Sequence, residues 1–330
     1  MLFEDFLEKK RWGKSVSGLV IITSCYAIIS MLIANGVFSA NAGIVGIAFL
    51  TIFLLPVIQN IRDTVEAPFH FKEIAYGEPS TIRSYAIIFA TVFTLYGVIA
   101  FILPLLGFSV TQVFKEQLQA FLPVGQAVAF SGATFSHIMQ ANLFVLVLAF
   151  TFGFIWIDSG IFFVLWNAST WGATFGFRAV AASAAAGTNP WYYLGVLLIQ
   201  VIWHAILEGG AYVLAAAAGG MIGHAAYQHK EKPFLYGIAV LVGAIAVVSI
   251  RSLGPVISIF INLAVLAIVL VFVNQAIPEM DKNYVVQGAK WFGYAILLFF
   301  IGAVVETVVL SNSQSVSMIY AYANMFITGS

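Results

Sequence analysis

Long apolar runs recur along the whole chain, and they decide what it can fold into. A segment of about 20 apolar residues spans a bilayer as a helix, because lipid offers no hydrogen bonds to an exposed backbone. Nine segments meet that length or come close to it: residues 16–34, 44–60, 85–106, 142–156, 160–177, 191–227, 234–250, 255–276 and 291–310. The pattern predicts an all-α fold, a polytopic transmembrane helical bundle with about nine spanning segments.

The composition agrees with lipid as the main solvent. Of the 330 residues, 62% are hydrophobic and only 8% are charged, whereas a soluble domain carries roughly a quarter of charged residues. The formal net charge is zero and the basic residues form no extended patch, which argues against nucleic acid as a partner. The lipid bilayer is therefore the predicted partner, with other membrane proteins or a second copy of the chain as further candidates.

The basic residues predict an orientation, because cytoplasmic loops carry an excess of Lys and Arg. With a cytoplasmic N-terminus, the inner segments hold eleven basic residues, which are Lys9, Lys10, Arg11, Lys14, Arg62, Lys72, Arg83, Lys230, Lys232, Lys282 and Lys290. The outer segments hold three, which are Lys115, Arg178 and Arg251. We expect a multi-pass protein of the cell membrane whose first apolar segment stays in place as a signal anchor.

The predicted spans divide the chain into four regions. Residues 1–106 form an N-terminal segment of three transmembrane helices, and residues 107–141 form an extracytoplasmic loop that is interfacial or re-entrant. The loop is predicted from a short amphipathic stretch and a Gly-containing, mildly apolar stretch. Residues 142–226 form a core that contains a His/Glu helix. Residues 227–330 form a C-terminal segment of three transmembrane helices and a polar tail.

His204 and Glu208 are the strongest candidate site residues, because they lie four residues apart within an apolar run. At helical spacing the two side chains share one face. Ionisable groups at membrane depth are expensive and are tolerated where they face a protein interior or a wet cavity. The pair therefore predicts an intramembrane polar centre, with Asn142 and Asn167 as hydrogen-bonding partners. Three roles are open for the pair: it can hold helices together, it can handle protons or ions, or it can form part of a metal site whose other ligands are not yet identified.

Four further ionisable residues are accessory candidates. Asp158 lies in a polar break and suits the N-cap of the next helix. Glu306 lies inside an apolar span, where a buried role and snorkelling to the interface are equally open. Arg178 and Arg251 are predicted to end helices on the outer side and to snorkel, and either can pair with Glu306. Asp158 and Glu306 are also the candidates for further metal ligands beside His204 and Glu208.

The region 142–223 resembles the integral membrane proteins of the stage II sporulation protein M family. The resemblance is carried by an Asn/Gly hairpin and a His-x-x-x-Glu helix with small residues after it, at Asn142, Gly153, Gly160, Asn167, Gly172, His204, Glu208, Ala211 and Gly219. The family usually has proline before the histidine and glycine after it, where this chain has Trp203 and Ala205. Gly210 stands where the family often has proline. The match covers about a quarter of the chain.

The resemblance implies a membrane component that works with partners at the cell envelope. In sporulating bacteria the family's namesake acts in a membrane complex with cell-wall-degrading partners during engulfment. The sporulation role itself does not carry over, because this chain has extra predicted helices on both sides of the matching core.

Three classes of function follow from these observations. The first, which is narrowly favoured, is a non-enzymatic scaffold or subunit of an envelope-associated membrane complex. The second is a proton- or ion-coupled transporter or permease-like protein that uses the His/Glu pair. The third is an intramembrane hydrolase, although the chain lacks HExxH, GxSxG, CxxC and P-loop motifs. No catalytic residue, metal ligand set or cofactor is predicted.

Overall fold

The computed structural model describes residues 15–65, 80–120, 132–227 and 282–312, with isolated positions within 257–267 and at 318–319. All the elements in these ranges are helices: α1 Val16–Val37, α2 Ala42–Val65, α3 Ser80–Leu105, α4 Val110–Val113, α5 Lys115–Ala120, α6 Gly132–Ile155, α7 Ile161–Ala186, α8 Pro190–Tyr227 and α9 Lys282–Asn312. The prediction of an all-α fold is confirmed for this part of the chain.

Six of the described helices contain stretches long and apolar enough to cross a membrane. They are Val16–Val37, Ala42–Ile61, Thr81–Leu105, Ile138–Ile155, Pro190–His224 and Val285–Val309. Each overlaps a span predicted from the sequence. These six helices identify the chain as a membrane protein. The predicted span 160–177 coincides with α7, which is not among the six, and the spans 234–250 and 255–276 lie outside the described residues. The count of nine spans and the cytoplasmic N-terminus therefore stay predictions.

Several boundaries differ from those expected. Helix α6 begins at Gly132 rather than at Asn142, so the end of the predicted loop 107–141 is helical. Helix α7 continues to Ala186, beyond the predicted limit of 177. Helix α8 begins at Pro190, as predicted, and runs unbroken past Gly210. Proline is favoured at a first helical position because its missing N–H has no partner there.

The chain divides into two compact units. The first unit contains residues 1–127, 165–202 and 313–330, and the second contains residues 128–164 and 203–312. The long helices α7 and α8 each contribute residues to both units. These units differ from the four predicted regions, which remain untested as domains.

In the first unit, helices α3 and α7 meet at their backbones. A Cβ atom added to Gly172 would clash with the Phe93 carbonyl oxygen, and one added to Gly176 would clash with the Gly97 carbonyl oxygen. Small residues at such positions let membrane helices approach closely, so that dispersion contacts hold them together. The rings of Phe93 and Phe175, 5.9 Å apart between centroids, pack beside this contact.

The short helix α5 is fixed to the start of α2. The Gly43 backbone N–H donates a hydrogen bond of 2.9 Å to the Glu116 carboxylate. The first N–H groups of a helix have no partner within the helix, and a negative charge there is favourable. Phe114, between α4 and α5, packs on Tyr96 of α3 with 5.4 Å between ring centroids. The part of the predicted loop before α6 therefore contains two short helices that belong to the first unit.

Candidate functional site

The second unit carries a buried polar face on helix α8. His204, Glu208 and Tyr212 follow one another at intervals of one helical turn, and their side chains are 7%, 2% and 0% exposed. At a rise of 1.5 Å per residue the three positions cover roughly 12 Å of the helix. The neighbouring side chains Trp203 and Ile206 are exposed, so α8 has an apolar outer face and a polar inner face. The same-face arrangement of His204 and Glu208 matches the predicted spacing.

Glu306 on helix α9 meets this face. Its side chain is 9% exposed, and its carboxyl group lies within reach of a side-chain hydrogen bond with Glu208. Glu306 also lies close enough to His204 and to Tyr212 for electrostatic interaction. Of the two roles left open for Glu306 by the sequence, the structure therefore supports the buried one rather than snorkelling.

The contact between Glu208 and Glu306 requires a proton. An ionised carboxylate only accepts hydrogen bonds, so two carboxyl groups can bond only when one of them is protonated. Two unit charges 4 Å apart repel by roughly 4 kcal/mol at an effective dielectric constant of 20. Oε1 of Glu208 is buried and has no hydrogen-bond partner among the described residues. The geometry is that of a carboxyl pair that holds one proton.

A glycine on α9 makes room for this contact. A Cβ atom added to Gly302 would lie 2.7 Å from Cγ of Glu208 and 3.4 Å from its backbone nitrogen. Contacts shorter than 3.0 Å are essentially never seen for real Cβ atoms. Gly302 lies one turn before Glu306, so the Glu208 side chain passes over the glycine to reach the carboxyl of Glu306.

Helix α6 is the third helix of this site and contributes Asn142. Its Nδ2 atom donates to Oε2 of Glu306 over 3.5 Å, which is a long and therefore weak hydrogen bond. The sequence predicted Asn142 as a partner of the His/Glu pair, and the structure brings it to Glu306. Three helices, α6, α8 and α9, thus supply the polar groups of this site.

Helices α6 and α8 are held together beside the site by backbone contact. A Cβ atom on Gly153 would lie 2.6 Å from the Ala216 carbonyl oxygen, and one on Gly219 would clash with the Phe150 carbonyl oxygen. The Phe150 ring packs on Phe292 of α9 with 4.1 Å between centroids. Helices that pack closely at small residues therefore position the polar groups.

Asn167 and Arg178 belong to the first unit, so the predicted grouping of Asn167 with His204 stays a prediction. Arg178 does not end a helix, because α7 continues for two more turns, and its side chain is only 1% exposed. This corrects the expected snorkelling of Arg178. The helix extends because the run of alanine after Arg178 has high helix propensity. Arg251 lies outside the described residues.

Asp158 is buried in the turn between α6 and α7, but it is not an ordinary N-cap. It has a φ of +69°, in the left-handed region, whereas an N-cap residue has an extended backbone. Helix α7 begins only at Ile161. The Asp158 carboxylate faces Gly220, where an added Cβ would lie 3.7 Å from Oδ1. The expected capping role is therefore corrected, since Asp158 shapes the turn instead.

The described residues do not form the metal site that the sequence left open. Within the described ranges, no group of three or more His, Cys, Asp or Glu side chains has a geometry that could hold a metal ion. His204, Glu208 and Glu306 therefore do not make up the metal site that was left open.

Sequence reasoning missed Tyr212, although a signal was present. Tyr212 lies four residues after Glu208, the same interval as from His204 to Glu208. Extending the face by one more turn would have included it. The contact between Glu208 and Glu306 has no comparable signal, because it depends on how α8 and α9 pack.

Comparison with known proteins gives no assignment. No family model, curated protein or solved structure matches the chain. The resemblance to the stage II sporulation protein M family therefore stays a prediction from the residues named above.

Proposed function

We propose that the protein is a proton-coupled transporter or permease-like protein of the cell membrane, in which Glu208 and Glu306 hold the proton. The observation that carries this proposal is the pair of buried carboxyl groups, within hydrogen-bonding reach of each other, on two helices that are long enough to span a membrane. Ionisable residues inside membrane helices that face one another are rare and mark ion and proton pathways. The shared proton neutralises one member of the pair, and release of that proton leaves two buried carboxylates whose repulsion favours a different arrangement of the helices.

A proton-flux measurement tests this function. The purified protein is reconstituted in liposomes that contain a pH-sensitive dye, and a pH gradient is imposed with the membrane potential clamped. We expect flux above that of protein-free liposomes, and its loss in Glu208→Gln and Glu306→Gln. Gly293→Ala on the same helix α9 is the matched control, because an added Cβ meets nothing within 4 Å there. Absence of flux in the wild-type protein, or unchanged flux in both Gln variants, contradicts the proposal.

The second candidate is the scaffold or complex subunit that the sequence narrowly favoured. What supports it is the backbone contact between α6 and α8 at Gly153 and Gly219, which suits a rigid helical unit. In that role the polar groups only pin helices, and intramembrane hydrogen bonds contribute about 0.6 kcal/mol on average. Glu208→Gln would then change stability or assembly and no transport. Wild-type liposomes without flux favour this candidate.

The family prediction and the cell-membrane location belong to this proposal as well. Two of the residues that carry the resemblance, Asn142 and Glu208, both contact Glu306. This supports the view that the resembling residues form one site. A hydrolase stays the least supported class, since it requires a third catalytic group beside His204.

A further inference from the structure

We infer that His204 is the residue through which the Glu208–Glu306 pair exchanges its proton. This inference rests on the proposed function and assigns a route to it. It starts from a specific geometry. His204 lies one turn before Glu208 on the buried face of α8 and interacts electrostatically with Glu306 from α9.

The Nδ1 atom of His204 is buried, and no described residue forms a hydrogen bond with it. A buried polar atom without a partner is costly, and such atoms in native structures call for an explanation. The imidazole is also more than nine-tenths buried. This ring nitrogen is buried and without a partner, on the helix face that carries Glu208 and within electrostatic range of Glu306, and so it is an available acceptor for a transferred proton.

The chemistry of imidazole suits this step better than that of the neighbouring phenol. Imidazole ordinarily gains and loses a proton near neutral pH, whereas a tyrosine hydroxyl does so near pH 10. Tyr212 lies one turn after Glu208 on α8, whereas His204 lies one turn before it, and the Tyr212 side chain is fully buried. Glu306 on α9 is the titratable group whose charge acts on His204, and Glu208 and Tyr212 lie one and two turns further along the same face of α8.

The transfer balances in protons and charge. In the resting state the pair shares one proton and carries one negative charge, and the imidazole is neutral. The proton passes to Nδ1, directly or through one water molecule, which leaves two carboxylates and an imidazolium with the same total charge of −1. Asn142 donates to Glu306 and so stabilises the carboxylate that forms. The imidazolium then releases its proton to water, and the pair takes up another.

The experiment compares His204→Ala and His204→Gln with Gly195→Ala in the liposome flux assay, because a Cβ atom added to Gly195 of the same helix meets nothing within 4 Å. We expect both His204 variants to lose at least nine-tenths of the flux and Gly195→Ala to keep it. Adding free imidazole should restore flux to His204→Ala, where a cavity is left, and not to Glu208→Gln. A residue with only a packing role would show no such rescue.

A second measurement distinguishes loss of proton transfer through His204 from loss of the Glu208–Glu306 pair. Dicyclohexylcarbodiimide, an apolar reagent, reacts with protonated carboxyl groups in membranes to give a stable N-acylurea that mass spectrometry locates. We expect labelling of the pair to persist in the His204 variants. Unchanged flux in His204→Ala and His204→Gln, with flux lost in Glu208→Gln, overturns the role of His204 alone. Absence of flux in the wild-type protein overturns the proposed function itself.

Discussion

The carboxyl groups of Glu208 and Glu306 lie within reach of a hydrogen bond to each other, although they come from different helices and both are buried. One proton is required for that bond. Everything proposed about the protein depends on this relationship, because the pair supplies a group that changes its charge within the membrane. The residues that position the pair are therefore the first ones to alter.

Gly302→Ala should displace the carboxyl pair. The added methyl group would lie 2.7 Å from Cγ of Glu208, and overpacking of this kind costs about 1–3 kcal/mol. We expect a lower midpoint of thermal unfolding in detergent and weaker carbodiimide labelling of the pair. Gly293→Ala on the same helix has open space around the new methyl group and should match the wild-type protein. Equal behaviour of the two variants would refute the packing of Glu208 over Gly302.

Replacing Asp158 tests whether the backbone at this position is left-handed. Alanine and glycine both remove the carboxylate, but only alanine is strained at a φ of +69°. The left-handed conformation costs an ordinary residue roughly 1–2 kcal/mol. Asp158→Gly should therefore be more stable than Asp158→Ala by about 1 kcal/mol, with Asp158→Asn close to the wild type. Thermal unfolding of the three variants measures the order, and a more stable alanine variant would contradict this backbone conformation.

Gly219→Ala should separate helices α6 and α8. The methyl group would clash with the Phe150 carbonyl oxygen, and a backbone cannot yield as a flexible side chain can. We expect this variant to unfold at lower temperature or to fail to accumulate in membranes. Gly195→Ala on the same helix meets nothing within 4 Å and serves as the control. If both variants accumulate and unfold alike, the helices do not touch at Gly219.

The N-terminus should lie in the cytoplasm. The expectation rests on the excess of Lys and Arg in the predicted inner segments. A fluorescent protein that matures only in the cytoplasm, fused before Met1, should be bright, whereas a periplasmic phosphatase at the same position should be inactive. The reverse pattern would invert the orientation.

The part of the fold that follows from hydrophobic periodicity could be predicted, and the part that follows from packing could not. The apolar runs locate all six candidate spans, and the interval from His204 to Glu208 places both on one face. Helix ends were less accurate, because α6 takes in mildly apolar residues from Gly132 onward and α7 continues through a run of alanine. Local propensity extended both helices beyond the apolar runs.

The partners of His204 and Glu208 depended on which helices pack together. Asn142 and Glu306 were named as candidates, but their meeting requires α6 and α9 to approach α8 at one level. That register is set by contacts such as Gly302 with Glu208 and Phe150 with Phe292, which leave no periodic signal. Arg178 shows the same limit, because its burial depends on neighbours in space rather than on its distance from a helix end.

Carbodiimide labelling of the wild-type protein in lipid tests the central claim most directly. A carboxyl pair that shares one proton in a buried site should form an N-acylurea at Glu208 or Glu306. Each Gln variant should lose the label at the replaced residue, and Glu116, which bonds to the Gly43 N–H, should stay unmodified. Labelling of neither Glu208 nor Glu306 under conditions that modify other membrane carboxyl groups would contradict the shared proton and the function built on it.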